Sequence, residues 1–155
     1  MSRKQIAVIG AGTATPELVK LAEEVGRLLA VRGAVLVCGG LGGAMEAAAR
    51  GAREAGGATI GILPGESRSE ANPWIDYAVV TGMGHARNLA VVASGDAVIA
   101  VGGEWGTASE IALGRKLSRP VVVLGPGPTI EGEGIVRAVS PEDAVELALS
   151  LANVV

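Results

Sequence analysis

Residues 95–110 read GDAVIAVGGEWGTASE. Ala97 to Val101 form an apolar run that ends in the glycine pair Gly102-Gly103, and from Thr107 to Leu117 the residues become helix-forming. A short apolar run, a glycine-rich turn and a helical stretch make one strand-loop-helix unit. The run is continuous instead of alternating, so the strand is covered on both faces, as in a parallel sheet between two helix layers.

The same unit recurs on either side. Gln5 to Gly10 is an apolar strand ending in glycine, followed by Thr15-Pro16-Glu17, which read as N-cap, first-turn proline and first-turn acid. Leu18, Leu21, Val25 and Leu28 then follow at helical spacing until Gly33. Ala34 to Cys38 is a second strand, Ala44 to Ala55 an alanine-rich helix and Ala58 to Leu63 a third strand. Pro64 to Pro73 is a polar surface loop, Tyr77 to Val80 a short strand and His85 to Ala93 a helix. Beyond the quoted stretch, Val121 to Leu124 is a strand and Gly125 to Gly134 a loop. Ser140-Pro141-Glu142-Asp143 caps a last helix that runs to about Leu151. Strands alternating with helices predict a single α/β domain over residues 1–155, a Rossmann-like doubly wound parallel sheet with helices on both faces.

The composition agrees. With 155 residues, 49% of them apolar and 19% charged, the chain has material for one core. Such a length buries roughly 70% of the unfolded surface and needs no staple. The 24 glycines, about twice the usual share, follow no collagen period. A net charge of −3 gives no footprint for nucleic acid or an anionic membrane. One cysteine, Cys38, and one histidine, His85, exclude an intramolecular disulfide and argue against any metal centre. Arg3 and Lys4 ahead of Ile6–Ala11 mimic the start of a signal peptide, but Pro16-Glu17 leads directly into a helix and no apolar run approaches 18 residues. The expected location is cytoplasmic.

In a parallel sheet the ligand sits beyond the carboxyl ends of the strands, near the switch in strand order. Three clusters fall there: Gly10, Gly12 and Thr13; Gly39, Gly40, Gly42 and Gly43; and Gly102, Gly103, Glu104, Gly106 and Thr107. The first lacks the third glycine of a dinucleotide fingerprint, because position 15 is Thr15, and no acid follows the second strand. The other two precede helices, whose free amides and positive dipole ends suit a phosphate. No Gly-Lys-Ser/Thr follows either one, so neither is a P-loop. Arg87 and Glu110 lie on the two helices flanking the fifth strand. A guanidinium there can grip a phosphate, and a carboxylate can act as base or stabilise an oxocarbenium ion. Competing readings are a solvated helix charge for Arg87 and a capping box, Thr107-x-x-Glu110, for the glutamate. His85 reads as a helix-start or rim residue and Cys38 as an apolar filler. Trp105 is either a core residue or an indole free to stack on a base.

Gly39-Gly40-Leu41-Gly42-Gly43-Ala44-Met45, together with Gly102-x-x-x-Gly106-Thr107-x-x-Glu110, resembles the LOG superfamily over roughly Ile6 to Leu124. That superfamily, often labelled lysine decarboxylase-like, includes cytokinin-activating phosphoribohydrolases, molybdenum-cofactor carrier proteins and the Rossmann domain of DNA-processing protein A. The resemblance implies a substrate-site role for Arg87, a catalytic role for Glu110 and a phosphate turn at Gly103, Gly106 and Thr107. The hydrolases' motif has a proline at Gly102, a glycine at Glu104 and a lysine at Asn88. These departures bring the chain nearer the carrier branch. Two classes remain open. One is a binder of a phosphorylated nucleotide-like ligand, such as a nucleotide or the molybdenum cofactor, with no cofactor needed for its own action. The other is a hydrolase releasing free base and ribose 5-phosphate from nucleoside 5′-monophosphates. The departures favour the binder. The expected partner is a phosphorylated small molecule, with no nucleic acid and no membrane. The resemblance and a mean hydropathy of +0.44 point to a homodimer or homotetramer.

Overall fold

Gln5–Gly10 forms the central strand, β1, flanked on both sides by parallel partners. The computed structural model describes residues 2–127 and 130–153. The other strands are β2 (Val35–Cys38), β3 (Thr59–Leu63), β4 (Tyr77–Val80), β5 (Ala97–Val101), β6 (Val121–Leu124) and β7 (Ile135–Arg137). Among the described residues there are five α-helices, α1 (Pro16–Val31), α2 (Ala44–Glu54), α3 (Arg87–Ser94), α4 (Trp105–Lys116) and α5 (Pro141–Ala152), with none between β3 and β4 or between β6 and β7. All seven strands are parallel, in the order β4-β3-β2-β1-β5-β6-β7. The order runs outward in two directions from the β1–β5 pair, which is therefore the switch point of the sheet.

Strand alternation divides the core. Ile6 and Val8 face α1, α2 and α5 with Leu36, Ile99 and Val122. Ala7 and Ile9 face the opposite layer with Val98, Ile62, Val91 of α3 and Ile111 of α4. Both faces of β1 and β5 are buried, as their unbroken apolar sequences require. In the first layer α1 and α2 meet backbone to backbone. A Cβ added at Gly26 would stand 1.9 Å from the Ala48 carbonyl oxygen, so that position admits only glycine.

Helix starts follow the sequence where side chains cap them. The Thr15 hydroxyl accepts from the Leu18 amide at 3.3 Å, and the Ser140 hydroxyl from the Asp143 amide at 3.1 Å. Three features differ from the sequence reading. The stretch expected as one helix from His85 is a 3-10 turn, Gly84–Ala86, followed by α3. The helix α4 starts at Trp105, ahead of Thr107, with Glu104 as N-cap residue and no side-chain cap. Thr107 is thus buried inside the first turn, and the capping box with Glu110 does not form. Finally, Ile135–Arg137 adds a seventh strand after the expected loop, of which Pro128 and Thr129 lie outside the described residues. Three residues at a sheet edge are too few to show a period.

Candidate functional site

Beyond the carboxyl ends of β1 and β5 opens a crevice of about 400 Å³. That size suits a nucleotide-sized ligand. Its floor is Val8, Ile9 and Gly10, one wall is Ala11, Gly12 and Thr13, and the opposite wall is Glu104, Gly106, Thr107 and Glu110 of α4. Gly39, Met45, His85, Arg87 and Asn88 close it from the side of β2 and α3. Of the residues singled out in the sequence, Gly10, Gly12, Thr13, Gly39, Arg87, Glu104, Gly106, Thr107 and Glu110 therefore come together here. Gly40, Gly42, Gly43, Gly102 and Gly103 do not line it.

Those five glycines shape the turns behind the crevice instead. Gly43, at φ 64°, lets the start of α2 press on the β1–α1 loop, where the Ala44 amide donates to the Ala11 carbonyl at 3.0 Å. Gly40 packs under Leu63, Gly42 stands against the Gly12 carbonyl, and Gly103, at φ 118°, leaves room for Thr107. Gly102 packs against Leu18 in the turn leaving β5. The crevice glycines divide differently. A Cβ at Gly10 would collide with Ala44, and one at Gly39 with Arg87 and Met45. Gly12 and Gly106 have open space where a Cβ would stand. Packing does not demand glycine at those two positions, although both line the crevice.

Arg87 is the buried cation of the site, with 8% of its surface exposed. Its Nε donates to the Ile62 carbonyl at 2.9 Å, Nη2 to the Gly39 carbonyl at 3.3 Å and Nη1 to the Asn88 side-chain oxygen. A guanidinium has five N–H donors, so two remain for the crevice. Burial lowers its affinity for the proton, and nearby Glu110 partly restores it. Arg87 forms no ion pair among the described residues. Glu110 is half-buried, and burial pushes its carboxyl up to about 7 against the opposing pull of Arg87. With Glu110 protonated, Arg87 loses that opposing charge, and Glu104 is the remaining carboxylate of the crevice wall.

The helix ends add donors. α1 and α5 cap themselves with Thr15 and Ser140, whereas α2 and α4 have no side-chain cap. The uncapped first turn of α4 puts the backbone of Gly106 and Thr107 into the crevice wall. Orphan amides and the positive dipole end there form an anion-binding surface. At α2 the first amide is taken by the Ala11 carbonyl, so that helix start offers one donor fewer than the sequence suggests.

The remaining singled-out residues separate cleanly. His85 is exposed at the crevice mouth, and Cys38 is buried, with its thiol pushed up to about 11 by burial. Trp105 is 84% exposed, so its alternative as a core residue falls. Asn88 entered the sequence reading as a departure from a motif; here it orients the guanidinium. Val8 and Ile9 belong to an apolar strand run and carry no sequence signal for their place in the crevice, whereas Ala11 lies inside the first glycine cluster. Among the described residues no group of His, Cys, Asp or Glu side chains is arranged to hold a metal ion.

An all-parallel sheet with its crevice at the β1–β5 switch point defines a Rossmann-like α/β protein. Within that class the chain belongs to the SLOG cluster4 family, whose model matches residues 3–154. It is 45% identical over 150 residues to an uncharacterized protein of Archaeoglobus fulgidus, covering 97% of each chain. Its fold is similar to the molybdenum cofactor binding protein of Rippkaea orientalis, with TM-score 0.92, 40% identity and coverage of 97% and 98% of the two chains. The molybdenum cofactor carrier protein of Chlamydomonas reinhardtii matches with TM-score 0.89 and 34% identity over 97% and 98%.

Proposed function

We propose that this protein binds a phosphorylated, nucleotide-like ligand in the β1–β5 crevice and carries it, with the molybdenum cofactor as cargo. The observation that supports this most is Arg87, a buried guanidinium without an ion-pair partner among the described residues, beside an uncapped helix end. A buried cation is stabilised by a charged acceptor, and a phosphate supplies one with matching geometry. Similarity to carrier and binding proteins at 34% and 40% identity supports the choice of cargo. The chemistry of the side chains fits a cargo held by its phosphate and ring. The chain's one cysteine is buried with its thiol protonated, so it offers no thiolate to the metal.

The ligand is a small molecule; the net charge of −3 does not suit nucleic acid. Among the described residues no helix is long and apolar enough to cross a membrane. We place the protein in the cytoplasm and expect a homodimer or homotetramer. Mass spectrometry of the protein purified from cells that make the cofactor tests the reading. The expected result is a phosphorylated pterin-type ligand that Arg87→Ala loses. A protein that brings no phosphorylated small molecule with it, and takes none up when supplied, overturns it.

Glu110 supports a second reading, a nucleoside 5′-monophosphate phosphoribohydrolase. With its carboxyl raised to about 7 beside Arg87, Glu110 exchanges a proton near neutral pH. Water would cleave the N-glycosidic bond, its hydroxyl going to C1′ to give ribose 5-phosphate and its proton to the ring nitrogen to give the neutral free base. Incubation with AMP and an isopentenyl-AMP decides between the readings. Base release that Glu110→Gln abolishes establishes the hydrolase, and its absence in folded protein leaves the carrier.

A further inference from the structure

Trp105 takes no part in the phosphate site. It lies between Glu104 and Gly106, which both line the crevice, yet Trp105 is 84% exposed and does not line it. On the outer flank of the β5–α4 turn the indole borders an open recess lined with Gly103, Glu104 and Gly127. Two of those four residues have no side chain. Gly127 lies against the backbone of Gly102 and Gly103, where a Cβ would stand 3.1–3.2 Å from main-chain atoms. The recess therefore has a peptide floor and an aromatic wall, a shape that takes a flat group. Glu104 lines both recess and crevice, so the two adjoin at that residue. Its carboxylate makes no hydrogen bond or ion pair among the described residues, and it caps no helix amide. A carboxylate beside a phosphate turn opposes phosphate binding, but one beside a ring accepts hydrogen bonds from ring N–H groups.

We propose that Trp105 and Glu104 form a subsite for the planar heterocycle of the ligand whose phosphate occupies the crevice. The indole stacks on the ring, and Glu104 accepts from an N–H edge of the aminopyrimidinone type, as found in guanine and pterins. This rests on the phosphate-binding reading of the crevice. It assigns Glu104, which lines both spaces, to ring selection.

The test compares dissociation constants of GMP, AMP and ribose 5-phosphate by calorimetry on wild type, W105A, W105F, E104Q and R87A. The wild type is expected to prefer GMP to AMP and both to ribose 5-phosphate. In W105A the advantage of GMP over ribose 5-phosphate should shrink by roughly tenfold or more, the usual loss of a stacking partner, with W105F keeping most of it. E104Q should remove the preference for GMP over AMP. A GMP to ribose 5-phosphate ratio that W105A does not alter overturns the subsite, and if W105A also dissociates the oligomer, Trp105 is an interface residue. R87A distinguishes the phosphate site from the ring subsite, because it should weaken all three ligands. Ribose 5-phosphate bound as tightly as GMP by the wild type defeats the subsite alone. Binding of none of the three defeats both the subsite and the phosphate-binding reading.

Discussion

Arg87 is held by two carbonyls and an amide oxygen, so its guanidinium cannot swing away from the crevice. Arg87→Ala is expected to weaken binding of any phosphorylated ligand by about 1.5–3 kcal/mol, the range for a hydrogen bond to a charged group. Titration calorimetry checks this, with Arg87→Lys as the control that keeps the charge but loses the fork. Glu110 makes the site pH-sensitive. With its carboxyl raised to about 7, it is neutral below that pH and repels a phosphate above it. Affinity should fall from pH 6 to pH 8 in the wild type relative to Glu110→Gln, which shares the ligand's own titration. Stability follows from the same shift. The folded carboxyl holds its proton more tightly than the unfolded one, whose value is 4.5. Its contribution is present below pH 4.5 and lost as the pH rises to about 7. At pH 8 Glu110→Gln should therefore melt above the wild type by about 2–4 °C, and at pH 4.5 with it. Equal melting temperatures at both pH values would mean that Glu110 is solvated.

The β5–α4 turn contains glycines of two kinds. Gly103 has φ 118° and Thr107 packed where a Cβ would stand, whereas Gly106 has a helical backbone and open space. Gly103→Ala should lower the melting temperature. Gly106→Ala should hold or raise it, since alanine favours helix over glycine by up to about 1 kcal/mol, while weakening phosphorylated ligands. Thermal melts and ligand titration on the two variants check the distinction. A Gly106→Ala variant that binds like wild type would show that the ligand does not approach this turn. The sequence quoted for the turn marks both residues alike. Glycine spacing reports that small residues are needed, without saying whether backbone conformation or a ligand needs them.

At the scale of the molecule, the two helix layers are unequal. α3 and α4 cover one face of the sheet, α1, α2 and α5 the other. On the thinner face Tyr77 and Val79 of the edge strand β4 continue the rows of Ile60 and Ile62 and are exposed; Met83, after that strand, and Leu89 of α3 are exposed as well. This apolar patch is the surface we expect to pair chains. Light scattering should give a mass that is a multiple of 15.4 kDa for the wild type, and Val79→Asp with Leu89→Asp should reduce it to one chain. A monomeric wild type would show that the patch has another use.

Much of this architecture was legible in the chain itself. Unbroken apolar runs such as Gln5–Gly10 and Ala97–Val101, the caps at Thr15 and Ser140 and the intervening helical spacing determine the βα units and a parallel sheet. Those signals are local, carried by neighbouring residues whatever the rest of the chain does. Strand order is not local, and it alone places the switch point between β1 and β5, where Gly12, Arg87 and Glu110 meet. Burial is likewise a property of the assembled layers. Nothing near Arg87 in the sequence distinguishes a solvated arginine from one enclosed by Ile62 and Gly39, which are distant in the chain. The start of α4 at Trp105 was also hidden. Helix propensity marks Thr107 as a good cap, but the packing of that turn buries the threonine and exposes the tryptophan.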